Sequence, residues 1–346
     1  MIPRCIKGSE SRPAAFAARP HNHGQGARYL HSCRLFKSWP FRPALVLAAL
    51  FLVSPFLIAG GASEKPLPDD SPADGFPVSV LDSFDRRVII SREPKRIVSL
   101  APNITEILFA LGEGDRLAGR SSWCDYPPGV ENVPDAGSLM EPNIEKIASL
   151  RPDLIIASAH FQRGSLDKLD RLGVPVLILF GPESFDGLFY TIDKLAGLVD
   201  AEAAASRIKT DMRRRIEAVQ EKTAGLARPK VYYVIDFGAG GDYTAGGNSF
   251  IHQLLTMAGA RNIAEDLKGW AYSVEMVIQG DPDLIICPDI PGFRERLTAS
   301  PGYRSLRAVR EDRVFQIDVD LIDRQGPRLI DGLEVLAGII HPEAFR

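Results

Sequence analysis

The sequence predicts an α/β protein of two Rossmann-like lobes joined by a single long rigid helix, with a ligand cleft between the lobes. Three observations support this fold class. Short apolar runs alternate with helix-period segments from Arg96 onward, a pattern typical of βαβ units and parallel sheets. One helix-and-strand segment occurs twice at a constant offset. Residues 201–223, between the two copies, contain neither Gly nor Pro, which favours a continuous helix.

The elements before and within the first lobe follow from apolar runs and turn residues. Residues 63–94 are predicted to form an N-terminal extension with a β-hairpin, from strands at 78–81 and 88–90. Residues 95–199 form the N-terminal lobe. Its strands are expected at 97–100, 154–157 and 174–179, and its helices at 103–111 and 185–199. Asn103 and Glu106 are spaced as a capping box, and Gly112 is expected to end that helix.

The repeat joins a capped helix to a buried strand through a Pro-Asp turn. Residues 143–147, followed by Pro-Asp-Leu-Ile-Ile at 152–156, recur as residues 273–277, followed by the same five residues at 282–286. The offset is constant, since Glu145 corresponds to Glu275 and Asp153 to Asp283. Two similar lobes are therefore predicted.

The connecting helix is assigned to residues 200–226 and the C-terminal lobe to residues 227–346. A helix over residues 201–223 would be roughly 35 Å long. A solvated surface helix is the alternative, because its apolar stripe is narrow. In the C-terminal lobe, strands are expected at 231–235, 284–287 and 314–317, and helices near 250–257 and over 329–340.

Composition excludes several classes of protein. The chain of 346 residues is 45% hydrophobic and 25% charged, which is average for globular proteins and unlike disordered chains or membrane bundles. The net charge is −3. Residues 1–62 carry eight basic residues and one acidic residue, so the remainder is clearly acidic. An acidic chain lacks the basic face that nucleic-acid binding requires, and we expect a monomer that binds no nucleic acid.

Residues 1–62 have the features of a leader. An apolar run at 44–59 follows Lys37 and Arg42 and precedes small residues at 60–62, which predicts a cleaved signal peptide over residues 35–62 and export to the periplasm. Membrane anchoring by residues 44–59 is the alternative, although 16 residues are short of the ~20 needed to span a bilayer. No Cys follows the run closely, so the lipid-anchor signal of lipoproteins is missing. Cys124 and Cys287 are expected to be unpaired thiols, with a disulfide as the alternative.

Aromatic residues with a few charged neighbours follow the predicted strands, where ligands of open α/β sheets bind. Rings of this kind suit a large, flat, amphipathic ligand. The alternative is that many of them belong to the core or its rim. The predicted ligand-binding residues are Trp123, Tyr126, His160, Phe161, Phe237, Tyr243, Trp270, Tyr272, Asp320 and Arg324.

Enzyme signatures are weak in this sequence. The Gly-rich loop at 238–241 lacks the third Gly of a dinucleotide fingerprint, and there is no Gly-x-Ser-x-Gly, phosphate-loop or His-Glu-x-x-His motif. Only His160, His252 and His341 follow the leader, too few for a convincing zinc site. We therefore expect a protein that is not an enzyme and has no cofactor and no resident metal. His160 is either a polar rim residue or a ligand to a metal held inside a chelate.

Glu145 and Glu275 occupy equivalent places in the two repeats. Each lies in the first turn of a predicted helix, where an acid favours the helix dipole. The matched pair also suits docking on basic residues of a two-fold symmetric partner. Both interpretations remain open from the spacing.

Several of these segments resemble periplasmic binding proteins of ABC importers for cobalamin, ferric siderophores and haem, especially the cobalamin-binding members. The resemblance covers roughly residues 95–342. It rests on Arg-Ile-Val-Ser-Leu-Ala-Pro-Asn-Ile-Thr-Glu at 96–106, Cys-Asp-Tyr-Pro-Pro at 124–128, the two Pro-Asp-Leu-Ile-Ile repeats, and Gly-Pro-Arg at 326–328.

The resemblance implies two α/β lobes joined by one long helix and a corrinoid or other metal chelate as ligand. It further implies that Glu145 and Glu275 dock on arginines of a dimeric permease, which works with an ATPase. Tyr126, Phe237 or Tyr243, and Trp270 correspond to cleft aromatics of the cobalamin-binding members. Ser158 departs from the pattern, because an aromatic residue is expected there.

Three alternatives to a corrinoid importer protein remain. In an iron-chelate or haem binder, Arg324 or Arg328 would meet an anionic group and His160 or Tyr126 would lie near iron. An exported α/β enzyme and a permanently membrane-anchored sensor are the other two.

Overall fold

The computed structural model describes residues 75–159, 161–238 and 240–346, all within one compact unit. The predicted signal peptide, the alternative anchor at 44–59 and the side chain of His160 lie outside the described residues.

The predicted hairpin is confirmed. Strands β1 (Val78–Leu81) and β2 (Arg87–Ile90) pair antiparallel, with Val78 opposite Ile90. The hairpin is tied to the first lobe at its turn, where the Ser83 hydroxyl donates to the Phe180 carbonyl at 2.8 Å.

The first sheet is parallel and has four strands in the order β4-β3-β5-β6. These strands are β3 (Ile97–Ser99), β4 (Leu117–Arg120), β5 (Leu154–Ala157) and β6 (Val176–Ile178). The helices of this part are α1 (Pro102–Ala110), α2 (Ile144–Ser149), α3 (Arg163–Asp170) and α4 (Phe185–Val199).

The predicted capping box at the start of α1 is wrong. The helix begins at Pro102 with Ala101 as N-cap, and no side chain caps it. Asn103 instead donates to the Ser158 hydroxyl at 3.3 Å, and Glu106 is buried within the helix. Proline at the first helical position needs no N–H partner, so this end of the helix forms without a polar cap.

The helix predicted over residues 201–223 is confirmed as α5 (Glu202–Thr223). It has a packed face, which includes Met212 and Ile216, so it is more than a solvated surface helix. Arg215 donates from Nε and Nη2 to Glu334 at 2.9 and 2.6 Å, which ties α5 to the last helix of the chain.

The second sheet has the order β11-β10-β7-β8, with β9 also paired to β7. All pairs are parallel except β7 with β8. The strands are β7 (Lys230–Asp236), β8 (Tyr243–Thr244), β9 (Arg261–Asn262), β10 (Leu284–Pro288) and β11 (Val314–Ile317). The helices are α6 (Phe250–Met257), α7 (Val274–Gly280), α8 (Phe293–Ala299), α9 (Arg307–Arg310), α10 (Asp320–Asp323) and α11 (Leu329–Ile340).

The sequence repeat corresponds to a structural repeat. The order β6-β5-β3-β4 of the first sheet matches β11-β10-β7-β9 of the second. In each copy the Asp of the Pro-Asp turn accepts backbone N–H groups where the neighbouring strand begins. Asp153 accepts from Arg96 at 2.9 Å, and Asp283 accepts from Lys230 at 2.7 Å. The two-lobed α/β fold is thus confirmed, while the bounds of the five segments assigned above stay a prediction.

One hydrophobic core passes through both lobes. It contains strands of both sheets and faces of α1, α4, α5, α6 and α11. Phe185 of α4 and Phe250 of α6 meet edge to face, with ring centroids 5.3 Å apart. The adjoining helix ends are linked reciprocally, because the Phe250 N–H donates to Glu183 and the Phe185 N–H donates to Gln253. Separate clusters fill the outer face of each sheet.

Candidate functional site

Two segments that follow parallel strands meet across the lobes. One is the loop at 121–128, after β4, and the other is the segment at 318–328, after β11. Arg324 of the second segment bonds the Asp125 carboxylate of the first, and its Nη2 lies 3.4 Å from the Trp123 carbonyl oxygen. The carboxyl ends of strands in both sheets therefore share one surface, as ligand sites of α/β sheets do.

The loop at 121–128 is held from beneath. Cys124 is buried, with its Sγ 3.2 Å from Thr105 Oγ1, and its N–H donates to the Ser121 carbonyl. These contacts leave Trp123 and Tyr126 on the outside, 52% and 38% exposed. The loop thus presents two rings from a fixed backbone.

Cys124 and Cys287 are free thiols, as expected from the sequence. Both are buried. Burial raises the pKa of the Cys124 thiol, and it raises the pKa of Cys287 to about 11. Each thiol is therefore protonated at neutral pH and packs as a small apolar group.

Glu106 is the centre of the contact between lobes. Its carboxylate is almost fully buried and accepts from Arg328 Nε at 3.0 Å and Arg328 Nη2 at 2.8 Å. Arg324 Nη1 lies 3.3 Å from the same carboxylate. Gly326 allows this approach, because a Cβ at that position would lie 3.2 Å from Glu106 Oε2.

We call Glu106, Asp125, Asp320, Arg324 and Arg328 the interlobe ion-pair cluster. Arg324 Nη2 also bonds Asp320 at 3.0 Å. The hydrogen bond from Arg324 lowers the pKa of Asp125, whereas burial raises the pKa of Asp320. The hydrogen bond to Glu106 raises the pKa of Arg328. The cluster therefore holds its arginines charged and paired.

The ring of Tyr126 lies over one of these arginines. The Arg328 Cζ is 3.9 Å from the ring centroid, a cation–π contact. An aromatic residue predicted for the ligand site is thereby attached to the ion-pair cluster.

Neither Glu106 nor Asp125 is among the residues that the sequence predicts for the site. The spacing of Glu106 from Asn103 indicates a cap, which concealed its role. A signal was present, since Glu106 is an acid inside the apolar run of α1 between Thr105 and Ile107.

Two predicted aromatics of the second lobe lie side by side at its surface. Tyr243 is 37% exposed and Trp270 is 46% exposed. The Thr244 N–H donates to the Trp270 carbonyl at 2.8 Å, which places their backbones next to each other. Phe237 is half-buried and packs edge to face on Phe293, with centroids 5.2 Å apart.

Two predicted ligand contacts occupy core positions instead. Phe161 is 4% exposed and packs in the apolar cluster on the outer face of the first sheet. Tyr272 is buried, and its hydroxyl donates to the Ile263 carbonyl at 3.0 Å. Burial also raises the pKa of Tyr272. Their packing accounts for both rings without a ligand, and the ligand contact expected of them stays a prediction.

Glu145 and Glu275 are both exposed, in the first turns of α2 and α7. The caps of these helices are Asn143, which accepts from Lys146 N–H at 2.9 Å, and Ser273, which accepts from Met276 N–H at 3.5 Å. A hydrogen bond with Ser273 lowers the pKa of Glu275. The first-turn position predicted for both acids is confirmed, and their docking role stays a prediction.

Within residues 75–159, 161–238 and 240–346, no three His, Cys, Asp or Glu side chains are grouped so that they could hold a metal ion. No helix in the same residues has the length and apolar character needed to cross a membrane.

Comparison with known proteins gives consistent matches. A family model described as periplasmic binding protein matches residues 97–321. The chain is 33% identical over 310 residues to an uncharacterised ABC transporter substrate-binding lipoprotein of Bacillus subtilis, covering 88% of this chain and 97% of the relative. It is 27% identical over 314 residues to a cobalamin-binding protein of Halobacterium salinarum, covering 86% and 83%.

Solved structures agree in fold. A periplasmic haem-binding protein from Pseudomonas aeruginosa superposes with a TM-score of 0.67 at 28% identity, over 72% of this chain and 94% of the other. The periplasmic vitamin B12-binding protein of Vibrio cholerae superposes with a TM-score of 0.61 at 26% identity, over 72% and 97%.

Proposed function

The chain belongs to the periplasmic binding protein family, as a substrate-binding protein of the ABC importers, and we propose that it captures cobalamin or a related corrinoid for a membrane permease. The observation that supports this ligand is a set of exposed aromatic rings on segments that follow strands in both lobes. Trp123 and Tyr126 belong to the N-terminal lobe, and Tyr243 and Trp270 belong to the C-terminal lobe. Exposed aromatic surface of this extent is costly in water, and a flat macrocycle would cover it.

The relatives support the same ligand. The relative from Halobacterium salinarum is named a cobalamin-binding protein. The structurally similar protein from Vibrio cholerae is named a vitamin B12-binding protein. Asp320, held by Arg324, adds a polar group beside the aromatic residues, where its carboxylate would accept hydrogen bonds from the amide side chains of a corrin ring.

The proposal includes export and the absence of catalysis. The leader at residues 1–62 has a basic region, an apolar run and small residues, which support transfer to the periplasm and cleavage. The partner would be a permease dimer with its ATPase, docked through Glu145 and Glu275. The matched exposed positions of these two acids on α2 and α7 support this role.

Equilibrium titration with cyanocobalamin tests the ligand. In a Trp39→Phe background, fluorescence comes only from Trp123 and Trp270. We expect quenching with a dissociation constant in the micromolar range or tighter, and at least a tenfold weaker constant for Trp270→Ala. Glu275→Gln serves as the control and should bind like the wild type. No quenching at micromolar cobalamin would reject the corrinoid assignment.

A second candidate is haem, favoured by the structural likeness to the haem-binding protein of Pseudomonas aeruginosa. The same titration with haemin distinguishes the two ligands. Saturable haemin binding together with no response to cobalamin would establish the second candidate and displace the first.

The docking role has a separate test. In reconstituted vesicles containing the cognate permease and ATPase, we expect the pair Glu145→Lys and Glu275→Lys to abolish stimulation of uptake while ligand affinity is retained. The pair Glu131→Lys and Glu265→Lys, also outside the predicted cleft, controls for charge. Full transport by the first pair would exclude docking through these acids.

A further inference from the structure

We propose that the interlobe ion-pair cluster selects ligands by charge, accepting a metal chelate with a neutral periphery and rejecting one that presents carboxylates. The inference rests on the proposed function, because it concerns the ligand of the same site. It follows from how the two arginines of the cluster are already engaged.

The terminal nitrogens of Arg324 are fully engaged, and Arg328 is held by Glu106 and Tyr126. Arg324 Nη1 bonds Glu106 and Asp125, while its Nη2 bonds Asp125 and Asp320 and lies near the Trp123 carbonyl. Arg328 donates twice to Glu106, and its face is covered by Tyr126. A ligand carboxylate would therefore have to displace an existing charge-assisted hydrogen bond to reach Nη1 or Nη2 of Arg324.

The net charge of the cluster points the same way. Its three carboxylates, Glu106, Asp125 and Asp320, face only two guanidinium groups, so the ionised cluster carries one excess negative charge. The usual expectation for an arginine pair in a ligand cleft, attraction of an anion, is therefore reversed here.

Exposure decides which charge a ligand meets. The side chains of Arg324 and Arg328 are 14% and 16% accessible, whereas those of Asp125 and Asp320 are 63% and 36% accessible. The accessible surface of the cluster is thus mainly carboxylate. The carboxylates would repel an incoming propionate or catecholate, which carries the same negative charge. An amide N–H would donate a hydrogen bond to a carboxylate without repulsion.

Two corrinoids that differ by one charge isolate this effect. Cyanocobalamin and its monocarboxylate, in which one side-chain amide is hydrolysed, share ring, metal and size. For the wild type, we expect the monocarboxylate to bind at least tenfold more weakly. In the double variant Asp125→Asn and Asp320→Asn, whose cluster carries one excess positive charge, the penalty on the monocarboxylate should disappear, while Asp167→Asn, an exposed site on α3, should keep the wild-type ratio.

Raised salt supplies an independent readout, since it should shrink the wild-type penalty on the monocarboxylate, and Asp167→Asn should respond to salt as the wild type does. A wild-type ratio near unity, or a double variant that keeps the full penalty, would overturn the inference.

A chain that binds no corrinoid is tested with haemin, which carries two propionates. If the wild type binds neither compound and the double variant binds haemin at least tenfold more tightly than the wild type, the proposed function is rejected and selection by charge is supported. If the wild type binds haemin and the two substitutions leave that affinity unchanged, both the proposed function and the selection by charge are rejected.

Discussion

Glu106 is the residue on which the contact between lobes depends most. It is an acid in the middle of a buried helix face, and its charge is compensated by groups that lie 218 and 222 positions away in the chain. Nothing in the local sequence of α1 specifies those partners. The residue therefore contributes to the correct docking of the two lobes, since the helix alone would favour an apolar side chain at this position.

Replacing Glu106 by Gln tests its contribution to stability. The substitution keeps the shape but leaves Arg324 and Arg328 without their buried counter-charge, and we expect a loss of about 3 kcal/mol in the free energy of unfolding. Asp125→Asn, which removes an exposed partner of the same Arg324, should cost less than about 1 kcal/mol. Urea titration followed by circular dichroism measures both. Equal losses would show that burial of the charge is not decisive.

The lowered pKa of Asp125 predicts a specific pH dependence. Because Arg324 favours the charged form in the folded protein, the Asp125 contribution is fully present above its ordinary pKa of 3.8 and is lost as pH falls through the lower folded-state pKa. The difference in unfolding midpoint between wild type and Asp125→Asn should therefore be constant from pH 7 to pH 5 and shrink below pH 4. A difference that grows on acidification would contradict this assignment.

At the scale of elements, the sequence predicts some strands and helices far better than others. The central strands β5 and β10 are uninterrupted apolar runs after Pro-Asp turns. The local sequence is therefore enough to identify them as buried strands. Strands β4, β8 and β9 were not predicted. All three are short, and β4 and β9 contain Gly, Arg or Asn. They become strands because a neighbouring strand supplies their hydrogen bonds. Such pairing is a property of the folded sheet and not of the local sequence.

Helix α5 allows packing and surface ion pairs to be compared on one element. Met212 is buried against the core, and Met212→Ala should lower the free energy of unfolding by about 3 kcal/mol through the cavity it leaves. Arg215→Ala breaks bonds to Asp331 and Glu334 that are largely solvent-screened and should cost about 1 kcal/mol or less. Arg214→Ala, on the exposed face, is the control. A larger loss for Arg215→Ala than for Met212→Ala would mean that ion pairs, not packing, hold the connector.

At the scale of the whole molecule, the candidate site shows which of its residues can be predicted from the sequence and which cannot. Aromatic residues after strand ends were predictable because parallel strands bring their carboxyl ends to one edge, and Trp123, Tyr126, Tyr243 and Trp270 are exposed. The pairing of Glu106 with Arg328 was not predictable, since it depends on how one lobe packs on the other. The burial of Phe161 was not predictable for a related reason, because the side of a loop that faces the core is fixed only by the fold.

The continuous core predicts that the two lobes unfold as one cooperative unit. A single apolar cluster contains strands of both sheets, and α5 packs along it, so neither lobe loses its structure without exposing apolar surface of the other. The tryptophans report on the lobes separately. In a Trp39→Phe background, Trp270→Phe leaves only Trp123 of the first lobe, and Trp123→Phe leaves only Trp270 of the second. The two variants should give the same urea midpoint by fluorescence as by circular dichroism.

Phe250→Ala makes that test decisive. Phe250 lies in the second lobe but packs on Phe185 of the first, and its removal should cost about 3–4 kcal/mol. If the lobes are one unit, the midpoint reported by Trp123 should fall as far as the midpoint reported by Trp270. A shift confined to Trp270 would mean that the lobes unfold independently and that the shared core couples them only weakly. Coincident shifts would instead show that the interface at α4 and α6 is part of the same cooperative structure as both sheets.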